Sequence, residues 1–232
     1  LAAARTTALL LTADFKAAGV YIERWQQVDP DKERGKRLAL LAWLAEFGGS
    51  EGVLQLATRA LQHLSEEEGF YRMLALIMLG SARRALSDIP AANAALQQAG
   101  MLGRQLGYPL GELGALVNLA FNLIEQGELR EARVLCEEAM LYHVDRKGRP
   151  LPVLGMVYIP YAQVLFLEND LSHAQEYARR GLLLCRQLFS SIIMGGDAVA
   201  VLALSAMVGG RVKEAAEITE STHLAAVQRS LI

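Results

Sequence analysis

The sequence predicts an all-α protein, an α–α superhelix (solenoid) of stacked helix pairs. Its 232 residues are 53% hydrophobic but only 6% aromatic, and only six prolines interrupt them, so the apolar content consists mostly of good helix formers. A turn motif recurs about every 40 residues, which is a period typical of helix-pair repeats. No segment shows the period-two alternation of a strand.

The recurring turn motif joins the two helices of each pair, and residues 87–92 (Ser-Asp-Ile-Pro-Ala-Ala) are a clear copy. The residues that close the six copies are Ala18, Val53, Ala92, Ala132, Ala174 and Ala215. The copy before Val53 is the weakest, because Ser50 stands where the others carry an apolar residue. The spacings of 35 to 42 residues exceed the about 34 of a tetratricopeptide repeat (TPR), so the pairs are TPR-like with an extended second helix or following loop.

The chemistry of this turn is consistent between copies. A Gly, Asn or Ser ends the first helix, where a left-handed or locally hydrogen-bonded residue is favoured. Asp88 and Asp170 stand where a carboxylate oxygen can accept a hydrogen bond from the free N–H groups of the second helix. Pro90 falls in the first turn of that helix, where its missing N–H costs nothing.

Small residues recur at two further positions of the repeat. The residue seven positions after each closing residue lies on the same face of the second helix as that closing residue. The small ones among these residues are Ala60, Ala99, Ala139 and Gly181. The residue twelve positions before each closing residue lies on the first helix of its pair. The small ones among these residues are Gly80, Ala120, Ala162 and Ala203. The two sets predict a close, small-to-small contact between the helices of each pair.

The turns and the proline positions give a map of about six helix pairs. The predicted pairs are 2–12 with 14–28, 34–47 with 51–65, 69–86 with 89–106, 110–126 with 129–144, 153–168 with 171–188, and 192–208 with 212–229. We expect one TPR-like domain over residues 1–232, and a fragment of a longer regulator, because the chain starts at Leu1 and not at a methionine. Pro160 falls within the expected helix 153–168, where proline costs about 3 kcal/mol or more, so this helix should kink or begin later.

Charge, hydropathy and cysteine content indicate which partners and which compartment to expect for the chain. The net charge of −2 and the pI of about 6.1 offer no basic stripe for nucleic acid, so we expect no direct nucleic-acid contact. The uncharged runs, such as the 13 residues between Asp197 and Arg211 and the 18 residues between Arg149 and Glu168, are shorter than the ~20 that a membrane span needs. Cys136 and Cys185 are expected to be buried free thiols, which suits a reducing cytoplasm.

The motifs of enzyme chemistry are absent from the sequence. Its four histidines do not stand at metal-ligand spacing, and neither His-Glu-x-x-His nor a nucleophile motif occurs. The chain also lacks Gly-x-x-x-x-Gly-Lys-Ser/Thr, so it has no phosphate cradle. We therefore predict that it is not an enzyme, with no catalytic residue, no metal ligand and no cofactor of its own.

Residues 127–188 carry a recognisable order of features. The turn at 127–132 is followed by a long second helix, a loop with Arg-Pro-Leu-Pro at 149–152, another helix, and Glu-Asn-Asp-Leu at 168–171. This order resembles the TPR-like sensor domain of the MalT-type regulators, which are large ATP-dependent transcriptional regulators of the LuxR family. The repeat register extends the resemblance across roughly residues 32–220.

The resemblance implies the ligand- or partner-sensing region of a transcriptional activator. In this family a nucleotide-binding switch precedes the helical repeats and a helix-turn-helix follows them, so ATP and DNA would bind to domains outside this chain. The implied partners are a small-molecule inducer or a regulatory protein, with self-association through the full-length regulator. A stand-alone TPR-type adaptor for protein–protein interactions is the alternative, which the repeats support without the resemblance.

The first helices of stacked pairs line the concave wall of the array. The repeat register selects inward-facing side chains that are mostly apolar with isolated polar groups, and this mixture suits a small organic ligand or an amphipathic helix. The candidate groove residues are Ile77, Ser81, Arg84, Val117, Phe121, Glu125, Ile159, Gln163, Asp197 and Leu204. A superhelix that simply packs its inner wall is an alternative that fits the same pattern.

Overall fold

A computed structural model describes residues 2–12, 14–28, 33–48, 52–188 and 195–220. Helices α1 to α4 are Ala2–Leu11, Phe15–Val28, Arg34–Gly48 and Val53–His63. Helices α5 to α8 are Gly69–Ala85, Ile89–Gln105, Pro109–Glu125 and Leu129–Tyr142. A 3-10 turn (Pro152–Leu154) leads into α9 (Gly155–Leu167), which is followed by α10 (Leu171–Leu188) and α11 (Gly195–Val208). Residues 212–220 are the described part of α12.

The all-α, TPR-like prediction is confirmed. Every predicted helix occurs, and its ends lie within two residues of the predicted ones wherever those ends are described. The predicted residues 51, 192–194 and 221–229 lie outside the described residues. The described part of the chain contains no strand, and its single isolated β-bridge joins Val144 to Pro150.

The helices group into two compact units that divide within α7, between Asn122 and Leu123. In the first unit α5 packs against α6, and α3 packs against both α4 and α5. In the second unit α9 packs against α10, and both α8 and α11 contact α9. The expectation of one domain over residues 1–232 stays a prediction.

Left-handed residues end the first helices, as the turn motif predicts. Ser87, Gly127, Asn169 and Gly210 have φ values between 60° and 79°. At the first of these turns the Asp88 N–H bonds the Arg83 carbonyl at 3.0 Å, and the Ser87 N–H bonds the Arg84 carbonyl at 2.8 Å. This pair of bonds is a Schellman motif, which satisfies carbonyls that the helix end leaves free. The other three turns repeat the same pattern.

The predicted aspartates cap the second helices. Asp88 Oδ1 accepts a hydrogen bond from the Ala91 N–H at 3.4 Å, and Asp170 Oδ1 accepts one from the His173 N–H at 3.3 Å. Pro90 lies in the first turn of α6, where no N–H is missed. The residues of the turn motif therefore decide where each pair bends.

The close approach of paired helices is confirmed, but its partners differ from the predicted small-to-small pairs. A Cβ placed on Gly80 of α5 would lie 2.5 Å from Leu96 Cγ of α6, so Gly80 makes room for a leucine. A Cβ on Gly181 of α10 would lie 3.0 Å from the Gly155 carbonyl oxygen of α9, and Ala162 is not among its nearest neighbours. Gly181 therefore faces the start of α9 and not Ala162.

Helix α9 begins at Gly155, two residues later than predicted, because the 3-10 turn precedes it. Pro160 still lies inside α9 and is buried. The later start therefore does not bring this proline into the first turn. Its missing N–H removes the helical partner of the Met156 carbonyl.

Candidate functional site

Two of the predicted groove residues of α5, Ile77 and Ser81, lie beside α3 in the first unit. Ser81 is buried, and its hydroxyl donates a hydrogen bond to Glu46 of α3. Ile77, one turn earlier, packs against the core cluster that contains Ala42. Arg84, one turn later, is partly buried. The hydroxyl of this face is thus already bonded within the chain.

The predicted groove residues of α7 differ in exposure. Val117 is only 1% exposed, so it belongs to the core and presents no surface to a ligand in this conformation. Phe121 is partly buried, and Glu125 is exposed. Phe121 and Glu125 therefore keep the accessible surface that a binding residue needs.

A buried polar pair joins α7 to α6 beside Phe121. Asn122 is fully buried, and its Nδ2 donates a hydrogen bond to Asn93 Oδ1 at 2.6 Å. The Asn122 Oδ1 atom has no hydrogen-bond partner among the described residues. A buried acceptor without a donor costs about 1–3 kcal/mol, and because Asn122 is fully buried, a bound molecule does not reach this oxygen in this conformation.

Sequence reasoning missed this asparagine pair, although a signal was present. Asn118 and Asn122 stand four residues apart in an otherwise apolar stretch of α7 and therefore share one helix face. Asn118 is satisfied locally, since its Nδ2 donates to the Gly114 carbonyl at 2.9 Å. Only the fold shows that Asn122 instead reaches Asn93 of the neighbouring helix.

The remaining predicted groove residues lie in the second unit. Ile159 of α9 is fully buried and is a core residue, whereas Gln163, one turn later, is partly buried. Asp197 and Leu204 of α11 are exposed. Because the ten candidate residues are divided equally between the two units, a single groove that contains all of them stays a prediction.

A polar network ties α8 to α9 in the second unit. The Tyr161 hydroxyl donates to Glu137 Oε1 at 2.9 Å and accepts from Arg133 Nη1 at 3.3 Å. Arg133 also pairs with Glu168 at the end of α9. Burial, together with the hydrogen bond to Glu137, raises the pKa of Tyr161 to about 12. The phenol therefore stays protonated and remains a donor at neutral pH.

Three tyrosines extend this network onto α10. The Tyr177 ring meets Tyr158 and Tyr161 edge-on, with ring centroids 5.3 and 4.8 Å apart. The Arg180 guanidinium lies over the rings of Tyr158 and Tyr177. Tyr158 and Tyr161 are at most 7% exposed and Tyr177 is partly buried, so the cluster, together with Glu137 and Arg133 of α8, joins three helices.

The cysteines do not form a reactive site. Burial raises the pKa of Cys136 to about 12 and that of Cys185 to about 11, so both thiols are protonated at neutral pH. Both are free; Cys136 is buried, as predicted, and Cys185 is partly buried. Across the described ranges no group of three His, Cys, Asp or Glu side chains could hold a metal ion. No helix in that same part of the chain has the length and apolarity to cross a membrane.

The helix pairs, their Schellman turns and their close glycine contacts define the class of protein, a TPR-like helical-repeat protein. PilW, described as a widely conserved type IV pilus biogenesis factor, has a similar structure. The TM-score is 0.59 with 15% sequence identity, and the match covers 95% of this chain and 90% of PilW. At this identity the similarity shows the fold alone.

The family follows from sequence similarity. The model of the MalT-like TPR region matches residues 36–231, and the chain belongs to this family. The HTH-type transcriptional regulator MalT of Vibrio parahaemolyticus is 30% identical over 150 residues, and that of Vibrio cholerae is 28% identical over 152 residues. These stretches cover 64% and 65% of this chain but only 17% of each relative. The resemblance to MalT-type regulators is confirmed.

Proposed function

We propose that this chain is the effector-sensing region of a MalT-type transcriptional activator. The match to the MalT-like TPR region over residues 36–231 carries the proposal, and the MalT regulators of two Vibrio species support it. The effector is a small organic molecule or a regulatory protein. It would act by binding more tightly to the active conformation of the regulator than to the resting one.

Other functions of the regulator are assigned to segments outside this chain, because the match covers only 17% of the relatives. We place ATP binding in a domain N-terminal to the repeats and DNA binding in a helix-turn-helix C-terminal to them. Self-association occurs through the full-length regulator, and the site of action is the cytoplasm. TPR-like regions of regulators are non-enzymatic domains, and no reaction is assigned to this one.

In the first unit, the candidate effector-binding surface contains Phe121, which is partly buried and supplies apolar contact area. The neighbouring Asn122 is fully buried, so it holds α7 to Asn93 of α6 and does not itself contact an effector in this conformation. Small-molecule sites combine mostly apolar walls with a few oriented polar groups.

A thermal-shift screen of the chain against sugars, other metabolites and candidate regulatory proteins tests the proposal. An effector that binds the folded chain raises the melting temperature, and the shift grows with the logarithm of its concentration once that concentration exceeds the Kd. The Phe121→Ala variant should keep the fold and lose about ten-fold in affinity, because an aromatic contact is removed. Met101→Ala on α6 removes an exposed apolar side chain of the same unit and is the matched control.

Three results would contradict this proposal. If no compound or regulatory protein shifts the melting temperature, the chain does not sense an effector. If wild type and Phe121→Ala bind an effector equally, the effector site lies elsewhere. The full gene should also encode a phosphate-binding loop upstream and a helix-turn-helix downstream of this chain. The absence of both would contradict the proposal that the chain is part of a MalT-type regulator.

A stand-alone protein–protein interaction adaptor is the second candidate. It is favoured by the structural similarity to PilW, which shows that this fold also occurs in a protein described as a pilus biogenesis factor. An adaptor would capture a stable protein partner from a lysate while no small molecule changes its melting temperature. An effector-sensing region would give the opposite result with its small-molecule effector.

A further inference from the structure

The connection between α8 and the 3-10 turn, residues 143–151, differs from the other connections between helix pairs. It has nine residues, whereas the connections at 64–68 and 106–108 have five and three. A longer connection that keeps a fixed structure is commonly a binding loop. We call residues 143–151 the basic loop, because Arg146, Lys147 and Arg149 lie in it.

The basic loop is held in one conformation by Asp145. Its carboxylate accepts hydrogen bonds from the N–H groups of Lys147 at 2.8 Å and Arg149 at 2.9 Å. The Arg149 Nε atom donates to the same carboxylate at 2.7 Å. A backbone bond from the Leu151 N–H to the His143 carbonyl, 3.1 Å long, closes the base. A loop that is already ordered loses little entropy when it binds a partner.

The charges of the basic loop are not all used within the chain. Arg149 is neutralised by its ion pair with Asp145. Arg146 and Lys147 at the tip are exposed, and their side chains form no ion pair with any described residue. Two positive charges are therefore presented to solvent by a rigid scaffold.

Exposed apolar side chains adjoin these charges. Leu141 and Tyr142 end α8 with 73% and 81% of their surfaces exposed, and Val144 at the base of the loop is 37% exposed. A tyrosine this exposed contributes nothing to the core, whereas tyrosine and arginine dominate the energetics of protein–protein interfaces.

We propose that the basic loop with Leu141, Tyr142 and Val144 is a docking site for an acidic, partly apolar segment of another protein. Charge complementarity sets the acidic character of the partner, and the apolar side chains require an apolar anchor in it. Nucleic acid fits less well, because binding at physiological salt takes more phosphate contacts than two unpaired cations provide. The proposal does not rest on the effector-sensing function.

The test uses the full chain and a fluorescein-labelled peptide in which Asp and Glu residues flank a Leu-Leu-Phe core. Fluorescence anisotropy should give saturable binding that weakens as salt rises, and the same peptide with Asn and Gln should bind less tightly. The double variant R146E/K147E should lose about ten-fold in affinity, and Tyr142→Ala about five-fold.

Matched controls separate the loop from general charge and apolarity. R130E/R186E changes the net charge of the same unit equally, at two exposed arginines without a described ion pair. Leu183→Ala removes an exposed apolar side chain from α10. Both controls should bind as wild type does. The proposal is overturned if the acidic peptide does not bind saturably, or if the controls lose as much affinity as the loop variants. It is also overturned if single-stranded oligothymidine binds more tightly than the peptide and this binding is lost in R146E/K147E.

Discussion

Gly80 and Leu96 fit together so closely that residue 80 has no room for a side chain. A Cβ on residue 80 would lie 2.5 Å from Leu96 Cγ and 2.7 Å from its Cδ2. Leu96 is fully buried, so its isobutyl group cannot swing into solvent to relieve the contact. The close packing of α5 against α6 therefore requires a residue without a Cβ at position 80.

Gly80→Ala is expected to destabilise the protein, although alanine is the better helix former. The clash should cost about 1–3 kcal/mol, more than the roughly 1 kcal/mol gained in helix propensity. Gly100→Ala on α6 is the control, because its Cβ would meet Ala115 at an ordinary 3.8 Å. Urea denaturation should give a lower midpoint for Gly80→Ala and an unchanged or higher one for Gly100→Ala. Equal midpoints for the two variants would show that Leu96 moves aside.

Gly155→Ala should be costlier than Gly80→Ala, because backbone atoms stand in the way. A Cβ on Gly155 would lie 2.8 Å from both the Cys185 nitrogen and the Gly181 oxygen of α10. Separating α9 from α10 is expected to cost about 3 kcal/mol. Gly196→Ala in the first turn of α11 is the control, since nothing lies within 4 Å of its Cβ. A wild-type unfolding midpoint for Gly155→Ala would contradict so close an approach of these two helices.

Tyr161→Phe should lower the free energy of unfolding by about 1 kcal/mol, because it removes the hydrogen bonds to Glu137 and Arg133. The raised pKa of Tyr161 means that the folded protein holds the phenol proton more tightly than the unfolded chain does. The stabilisation of the folded state that results is complete below the ordinary pKa of 10.0 and is lost as pH rises toward about 12.

The check is urea denaturation of wild type and Tyr161→Phe at neutral pH and at several pH values above 10. The difference between them should shrink as pH rises through this window. Tyr142→Phe is the control, because Tyr142 is 81% exposed and its hydroxyl has no described partner. A constant difference at all pH values would mean that ionisation of Tyr161 is not linked to folding.

Asp145→Ala should release the basic loop without unfolding the helices. The hydrogen bonds that the Lys147 and Arg149 N–H groups donate to the carboxylate would be lost, so amide exchange at both positions should accelerate. Asp170→Ala, which removes a helix cap outside the loop, should leave these two amides unchanged. Unaltered exchange in Asp145→Ala would show that the backbone alone orders the loop.

The same carboxylate makes the order of the loop dependent on pH. Hydrogen bonds, first among them the one from the Arg149 N–H, lower the pKa of Asp145 below 3.8. Because the pKa of this carboxyl is lower in the folded loop, the ionised carboxylate stabilises the loop fully at pH values above the ordinary pKa. This stabilisation is lost as pH falls through the lowered pKa. The Arg149 amide resonance should therefore titrate with a midpoint below 3.8, and a midpoint at or above 3.8 would contradict the bonding pattern.

Most of the fold could be predicted from interactions between residues that are close together in the sequence. Each turn between paired helices is specified by adjacent residues, such as Ser87 in the left-handed region and Asp88 as a cap, so its position needs no knowledge of the rest of the chain. The binding surface was harder to predict. Helix register selected Phe121, which is partly buried, together with Val117 and Ile159, which the core encloses, so the groove itself stays a prediction.

The sequence by itself determined the helices, their pairing and the MalT-like repeat, because these depend on residues close together in the chain. Tertiary structure alone decided which small residue meets which neighbour, as when Gly80 faces Leu96 and Gly181 faces Gly155. It also decided that Asn122 is buried against Asn93, with one oxygen that finds no donor among the described residues. Such contacts depend on how far two helices slide along each other, and helical periodicity fixes the face of a helix but not that displacement.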